Sequence, residues 1–199
     1  PTEGAVPLAP TLDTVGPLAR TVEDAALALA ALTGRPAPDL AGARLDRAAF
    51  FVPETAVFDD AAPELVAAFE AAVVALERAG ARVDRGPAPE LAEALEVAAT
   101  RGAIVNTEGY AIWRDRIEAE PDEMFPLIRE RFRSGAAFNG ADVEAARMGF
   151  GKLARIFLAR IAAYDAVLCP TTPNRPPRVA ALLADEALYV SENLLALRN

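Results

Sequence analysis

The sequence predicts an α/β fold in which a mixed β-sheet is flanked by helices. Two short apolar runs, at 48–52 and 81–84, are separated by a segment with helical spacing, which is the pattern of a β-α-β unit. A third apolar run, at 165–169, follows a long helical segment. The chain has 199 residues and is 53% apolar, enough to bury one core, so we expect residues 1–199 to form a single domain.

The first predicted helix covers residues 21–33. Thr21 stands where an N-cap hydroxyl can accept from the backbone N–H of Asp24, and Gly34 is a typical terminating residue. The stripe expected to be buried consists of Leu27, Ala31 and Leu32.

The middle of the chain is predicted to be largely helical. Apolar residues at helical spacing indicate a helix over 62–79, between the first two strands. Helical sequence continues over 90–120, where Gly102 and Gly109 are expected to mark bends. A shorter helix is predicted over 122–134.

The last third of the chain alternates helix and strand. Asn139 is a suitable N-cap for a long helix over 140–163. A strand is predicted within 164–170, with Cys169 as a buried apolar side chain. A final helix begins within 184–199, and because the sequence stops inside it, we expect the chain to be a fragment of a larger domain.

The residue inventory excludes several kinds of site. The chain contains no histidine, which removes Ser-His-Asp and Cys-His catalysis and histidine zinc sites. A single cysteine cannot form an internal disulfide or a thiolate cluster, and neither phosphate-binding glycine motif is present. We therefore expect no metal and no cofactor.

The charge and hydropathy of the chain narrow its surroundings. A net charge of −9 argues against direct binding of nucleic acid, which requires a basic patch. No apolar run reaches the roughly 18 residues that a membrane helix needs, so we expect no membrane contact. With one cysteine, the cytoplasm is the expected location.

Three segments carry a family resemblance, in colinear order. The stretch Pro7–Ala25, PLAPTLDTVGPLARTVEDA, is similar to the P-L-S-x-S-L-D-T-x-G-P-x-A-R-T-V-x-D-A run of the amidase signature family. The stretch NTEGYAIWRDR at 106–116 resembles its E-x-Y-x-x-H helix, with Trp113 where histidine is common. The stretch YDAVLCPTTPNRPP at 164–177 resembles its Y-D-x-L-x-x-P-T-x-P strand and loop.

The resemblance implies an amidase, which hydrolyses a carboxylic amide C–N bond to an acid plus ammonia or an amine. Family members use a nucleophilic serine, a bridging cis-serine and a lysine base, and such a lysine needs a lowered pKa. Those residues belong to a signature that precedes the segments found here. The chain therefore corresponds to the C-terminal part of the fold, and no catalytic residue is assigned to it; Lys152, Ser134 and Ser191 match no catalytic position.

The resemblance also implies five substrate-binding candidates, namely Asp13, Thr14, Tyr110, Thr171 and Thr172. Asp13 and Thr14 lie in a loop that alternatively only holds a turn. Tyr110 is expected to offer its hydroxyl to a ligand, and the alternative is packing on its helix. Thr171 and Thr172 follow a strand, where α/β folds bind ligands, and the alternative is a plain proline-rich turn.

The partner expected from this reasoning is a small-molecule amide, and a homodimer is compatible with it. Two other functions stay open. The chain could belong to the amidase-like A subunit of a tRNA-dependent amidotransferase, or it could be a non-catalytic α/β binding module.

Residues 1–199 alone are predicted to have no amidase activity, because the Ser/Ser/Lys triad is missing from them. The measurement is release of ammonia from simple amides by the purified chain and by its Lys152→Ala variant. Turnover that survives the substitution would show that the chemistry had been assigned to the wrong part of the protein.

Overall fold

The computed structural model describes residues 2–100 and 104–196, with only the backbone described at 99 and 100. Two units are distinguished by their internal contacts. The first comprises Pro1–Ala43 and Val97–Gly149, and the second comprises Arg44–Glu96 and Phe150–Asn199. The β-sheet belongs to the second unit. That residues 1–199 form a single domain stays a prediction.

The secondary structure follows the predicted order. The strands are β1 (Ala49–Glu54), β2 (Arg82–Pro87) and β3 (Ala166–Val167). The α-helices are α1 (Val22–Thr33), α2 (Pro63–Arg78), α3 (Pro89–Thr100), α4 (Ile104–Ala119), α5 (Pro126–Arg133), α6 (Gly140–Ile161), α7 (Val179–Ala184) and α8 (Glu186–Ala196).

Strand β1 is the centre of the sheet, whose order is β2-β1-β3. Phe51 is paired with Asp84 of β2 on one side and with Val167 of β3 on the other. Both pairings are parallel, so the described strands form a parallel sheet and not the expected mixed one. The predicted α/β class is confirmed.

Burial explains why β1 is central. Phe51, Val52 and Pro53 are buried, as expected for a strand covered on both faces. Helix α2 connects β1 to β2 and contributes the buried Val73. Strand β3 is shorter than the predicted 164–170, because Pro170 cannot donate a backbone hydrogen bond and the chain turns away before it.

A buried ion pair joins α3 to the C-terminal part of α6 within the second unit. The Arg160 guanidinium donates to both carboxylate oxygens of Glu90, at 2.6 and 3.0 Å. The Glu90 side chain is only 3% exposed. The hydrogen bond from Arg160 lowers the pKa of this carboxyl from its ordinary value. Glu90 is therefore held as a paired anion at the start of α3.

Helix ends in the first unit confirm the predicted caps. The Thr21 hydroxyl accepts from the Asp24 N–H at 3.1 Å, and Gly34 has φ of 66°, in the left-handed region. The Asn139 side-chain oxygen accepts from the N–H of Ala141 at 2.8 Å, which caps α6. Local sequence chemistry decided these boundaries.

The expected buried stripe of α1 is wrong. Leu27 is 61% exposed and Leu32 is 48% exposed, and α1 has no buried residue. An apolar stripe is buried only where another element covers it. None of the residues that the structure describes does so for α1.

Two glycines let α4 approach its neighbours closely. Gly109, expected at a bend, lies inside α4, where an added Cβ would be 2.9 Å from Cε1 of Phe132. A Cβ on Gly135 would be only 2.2 Å from the backbone oxygen of Asn106. The bend expected at Gly102 lies outside the described residues. Among residues 2–100 and 104–196, no helix has the length and apolar character needed to cross a membrane.

Gly135→Ala is expected to lower the free energy of unfolding by more than about 3 kcal/mol, because the new methyl group would overlap backbone that cannot move easily. Gly151→Ala is the matched control, since an added Cβ there meets no atom within 4 Å and alanine favours the interior of α6 by about 1 kcal/mol. Denaturant unfolding measures both. An equal response of the two variants would contradict the close approach.

Candidate functional site

The first candidate segment is the loop that contains Asp13. Its two carboxylate oxygens accept from the backbone N–H groups of Leu8 and Ala9, each at 3.0 Å. The Asp13 N–H itself donates to the Ala9 carbonyl at 2.8 Å. These three bonds close a tight turn, which supports the turn-holding interpretation of Asp13. Thr14 follows it and is exposed.

Helix α4 holds the same loop from the other side. Glu108 accepts from both the backbone N–H and the hydroxyl of Thr11. The indole N–H of Trp113 donates to the Pro7 carbonyl at 2.8 Å. The resemblance included both segments but did not reveal these pairs, because pairings between distant segments leave no local pattern. The E-x-Y spacing was the available signal for Glu108.

Tyr110 lies on α4 and is half-buried. Its hydroxyl is 3.5 Å from a carboxylate oxygen of Glu118, at the limit of a hydrogen bond. Arg133 donates two shorter bonds to the same carboxylate, at 2.9 and 2.8 Å, and this pairing lowers the pKa of Glu118. The Tyr110 hydroxyl therefore faces an anion and not open solvent, contrary to the expectation of a free hydroxyl.

The second unit contains a pocket of about 250 Å³ just beyond the carboxyl end of β3. This is the edge of a parallel sheet at which α/β folds bind ligands. The residues that line it are Leu65, Phe69, Cys169, Pro170, Thr171 and Thr172. Thr171 and Thr172 thus share one pocket, in which two hydroxyls face an apolar wall supplied by α2.

The loop that carries these threonines is anchored at three points. The Ala62 N–H donates to the Pro173 carbonyl at 2.7 Å, at the start of α2. The Asn174 side-chain amide donates to Glu192 of α8. The Arg175 guanidinium donates to Glu64 of α2 at 2.9 Å. A loop held in this way presents its side chains in a fixed geometry, as a binding loop requires.

Cys169, expected to be buried, is exposed at this pocket. The strand ends two residues earlier, so Cys169 lies on the loop and not in the sheet core. Partial burial of the sulfur nevertheless raises the pKa of the thiol. A protonated thiol is a poor nucleophile, so Cys169 acts as wall and not as a reacting group.

The two serines of the chain are engaged by backbone. The Ser134 hydroxyl donates to the Arg131 carbonyl at 2.7 Å, and the Ser191 hydroxyl donates to the Leu188 carbonyl at 3.0 Å. Lys152 is exposed on α6. Nothing in this geometry makes either serine a nucleophile. In the part of the chain that the structure describes, no group of three or more His, Cys, Asp or Glu side chains could hold a metal.

The structure groups the five predicted residues by unit. Asp13, Thr14 and Tyr110 belong to the first, where the Asp13 loop is bonded to α4, the helix that carries Tyr110. Thr171 and Thr172 belong to the second, in one pocket. Their role in substrate binding stays a prediction.

Comparison with protein families decides the lineage. A family model for amidases matches residues 1–198. The chain belongs to the amidase family. It is 38% identical over 208 residues to the 2-amino-5-chloromuconic acid deaminase of Comamonas testosteroni, an alignment that covers 100% of this chain and 43% of that protein. The predicted family is confirmed.

Solved structures agree with the amidase assignment. One crystal structure of an amidase superposes with a TM-score of 0.78 at 27% identity, covering 88% of this chain and 39% of that one. An allophanate hydrolase of Kluyveromyces lactis shares the fold, with a TM-score of 0.63 at 18% identity, covering 75% of this chain and 24% of that one. The chain spans less than half the length of each of these proteins.

Asp13→Ala is expected to lower the free energy of unfolding by about 1–3 kcal/mol, because it leaves two backbone N–H groups of the turn without their acceptor. Asp115→Ala is the control: Asp115 is an exposed aspartate in the same unit, paired only with Arg114 among the bonds seen, and its loss should cost under about 0.5 kcal/mol. Denaturant unfolding of both variants tests the turn-holding role. A loss of activity without a loss of stability in Asp13→Ala would instead favour direct ligand contact.

Proposed function

We propose that this chain is part of an amidase that hydrolyses a small carboxylic amide to an acid plus ammonia or an amine. The observation that carries the proposal is the amidase-family match over residues 1–198, in a chain with a pocket at the carboxyl end of its parallel sheet. The deaminase relative is also named for removal of nitrogen from an organic acid, which is in keeping with C–N cleavage.

The proposed chemistry is acyl transfer to a serine nucleophile that lies outside residues 1–199, in the larger amidase domain of which this chain is a part. The serine attacks the amide carbonyl, backbone N–H groups stabilise the oxyanion, and the C–N bond breaks as the leaving nitrogen takes a proton. The reaction takes place in the cytoplasm. The present chain supplies binding surface and not reacting groups.

Each candidate residue has a distinct proposed role in substrate binding. Thr171 and Thr172 offer hydroxyls at a pocket whose wall is apolar. Tyr110 contributes to recognition of the substrate from α4. Asp13 acts by holding the turn from which Thr14 projects.

The decisive experiment uses the full protein that contains this chain. Purified enzyme is incubated with a panel of amides of increasing size, and ammonia or amine release is measured. A parallel sample is treated with a fluorophosphonate, which labels activated serines, and the labelled peptide is located by mass spectrometry. Hydrolysis with a label outside residues 1–199 supports the proposal. Absence of both hydrolysis and label would favour a non-catalytic binding module, and activity only with a co-purifying subunit would favour an amidotransferase.

Tyr110→Phe and Thr172→Ala are expected to alter substrate choice more than stability. Each should cost under about 1.5 kcal/mol of unfolding free energy, because neither opens a large cavity. Each should change kcat/KM unevenly across amides of different size, because specificity is differential binding of transition states. Thr33→Ala is the control, since its hydroxyl bonds only within α1, to the Leu29 and Ala30 carbonyls. Uniform kinetics across the panel would return both residues to a packing role.

A further inference from the structure

The pocket beyond β3 points to a particular substrate class, and this inference rests on the proposed amidase function. We propose that Thr172 is a specificity residue that accepts a hydrogen bond from the amide N–H of the substrate. The enzyme then favours primary and secondary amides, with an uncharged group in the pocket, over tertiary amides and esters.

The direction of one hydrogen bond sets the chemistry of the Thr172 hydroxyl. That hydroxyl is 3.3 Å from the backbone carbonyl of Asn174 and donates to it. A carbonyl can only accept, and a hydroxyl has one proton and two lone pairs. With its proton committed to Asn174, the hydroxyl offers the pocket only its lone pairs. The ligand group that complements it is a donor, and the N–H of an amide is such a donor.

The pocket wall favours a neutral ligand. The six lining side chains carry no formal charge, because they are aliphatic, aromatic or hydroxyl groups and one thiol whose pKa is raised by burial. A carboxylate or ammonium group would lose hydration there without gaining a charged partner. A neutral carboxamide avoids that cost, and Leu65 and Phe69 offer an apolar surface to its substituent. The volume of about 250 Å³ suits a compact group.

The orientation of Thr172 depends on its neighbours in the loop. The carbonyl that receives its proton belongs to Asn174, whose side chain donates to Glu192. The adjacent Pro173 is buried, and its carbonyl accepts from the Ala62 N–H at 2.7 Å. Asn174 and Glu192 are therefore positioning residues: they fix the carbonyl that fixes the hydroxyl. Arg175 adds a further tie through Glu64.

The first test compares a secondary amide with the ester of the same acyl group and of matching size, in the full protein. The ester lacks the N–H. Thr172→Val removes the acceptor at nearly constant shape and should lower kcat/KM for the amide about tenfold, while the ester changes less than about twofold. Thr172→Ser keeps the hydroxyl and should restore the preference for the amide. Thr33→Val, on α1, should leave the ratio of amide to ester unchanged.

The second test concerns the positioning pair. Glu192→Gln keeps an oxygen that can accept from Asn174, so the amide-to-ester ratio should stay near that of the unaltered protein. Glu192→Leu removes the acceptor, and the ratio should fall toward that of Thr172→Val. A purely structural role would lower amide and ester activity together and leave the ratio constant.

The outcomes separate the inference from the function on which it rests. If the unaltered protein hydrolyses neither substrate, the amidase proposal fails and the inference falls with it. If it hydrolyses amides, but Thr172→Val lowers amide and ester rates equally or Thr172→Ser fails to rescue the ratio, the acceptor role alone is overturned. A selective loss on the amide, with rescue by serine, supports it.

Discussion

The second unit depends on the parallel pairing of β1 with β3. Strand β3 has only two residues, so flanking bonds supply much of its hold. The Asp165 N–H donates to the Ala49 carbonyl at 2.7 Å, the Leu168 N–H donates to the Phe51 carbonyl at 2.9 Å, and the Asp165 side chain accepts from the Ala49 N–H at 2.8 Å. The pocket begins at Cys169, one residue beyond this register. A shift of β3 against β1 would move every pocket residue on the loop.

The pocket has a second support on α2. The Ala62 N–H at the start of α2 holds the Pro173 carbonyl, and the same helix places Leu65 and Phe69 in the pocket wall. The wall and the loop are therefore fixed by one element. Because α2 is also the connection between β1 and β2, the position of the pocket follows from the sheet topology. This is the general reason that ligand sites in α/β folds recur at the carboxyl ends of strands.

Local patterns predicted the elements well. Thr21, Gly34 and Asn139 mark helix ends through bonds to residues at most three positions away, so their sequence neighbours contain the whole cause. The apolar runs around Phe51 and Val83 identified the strands, because covered strands need apolar side chains in sequence order. The family resemblance identified the segments that carry the candidate residues, although their role in binding is untested.

Longer-range relations could not be predicted from such patterns. The exposure of Leu27 depends on whether another element covers α1, which periodicity does not state. Gly109 was expected at a bend, but its lack of a side chain instead admits Phe132, a residue 23 positions away. Glu108 bonds Thr11 across 97 positions. Cys169 lies outside the sheet because the strand is shorter than its apolar run.

One consequence of the exposed Cys169 is practical. It is the single cysteine of residues 1–199, and it lies at the wall of the pocket. A small fluorinated tag attached to this sulfur would report on its surroundings through its ¹⁹F chemical shift. Filling of the pocket would then appear as a spectral change in solution, without turnover and without a labelled ligand. The position that the amino-acid pattern assigned to the core is thus a natural place for a reporter group.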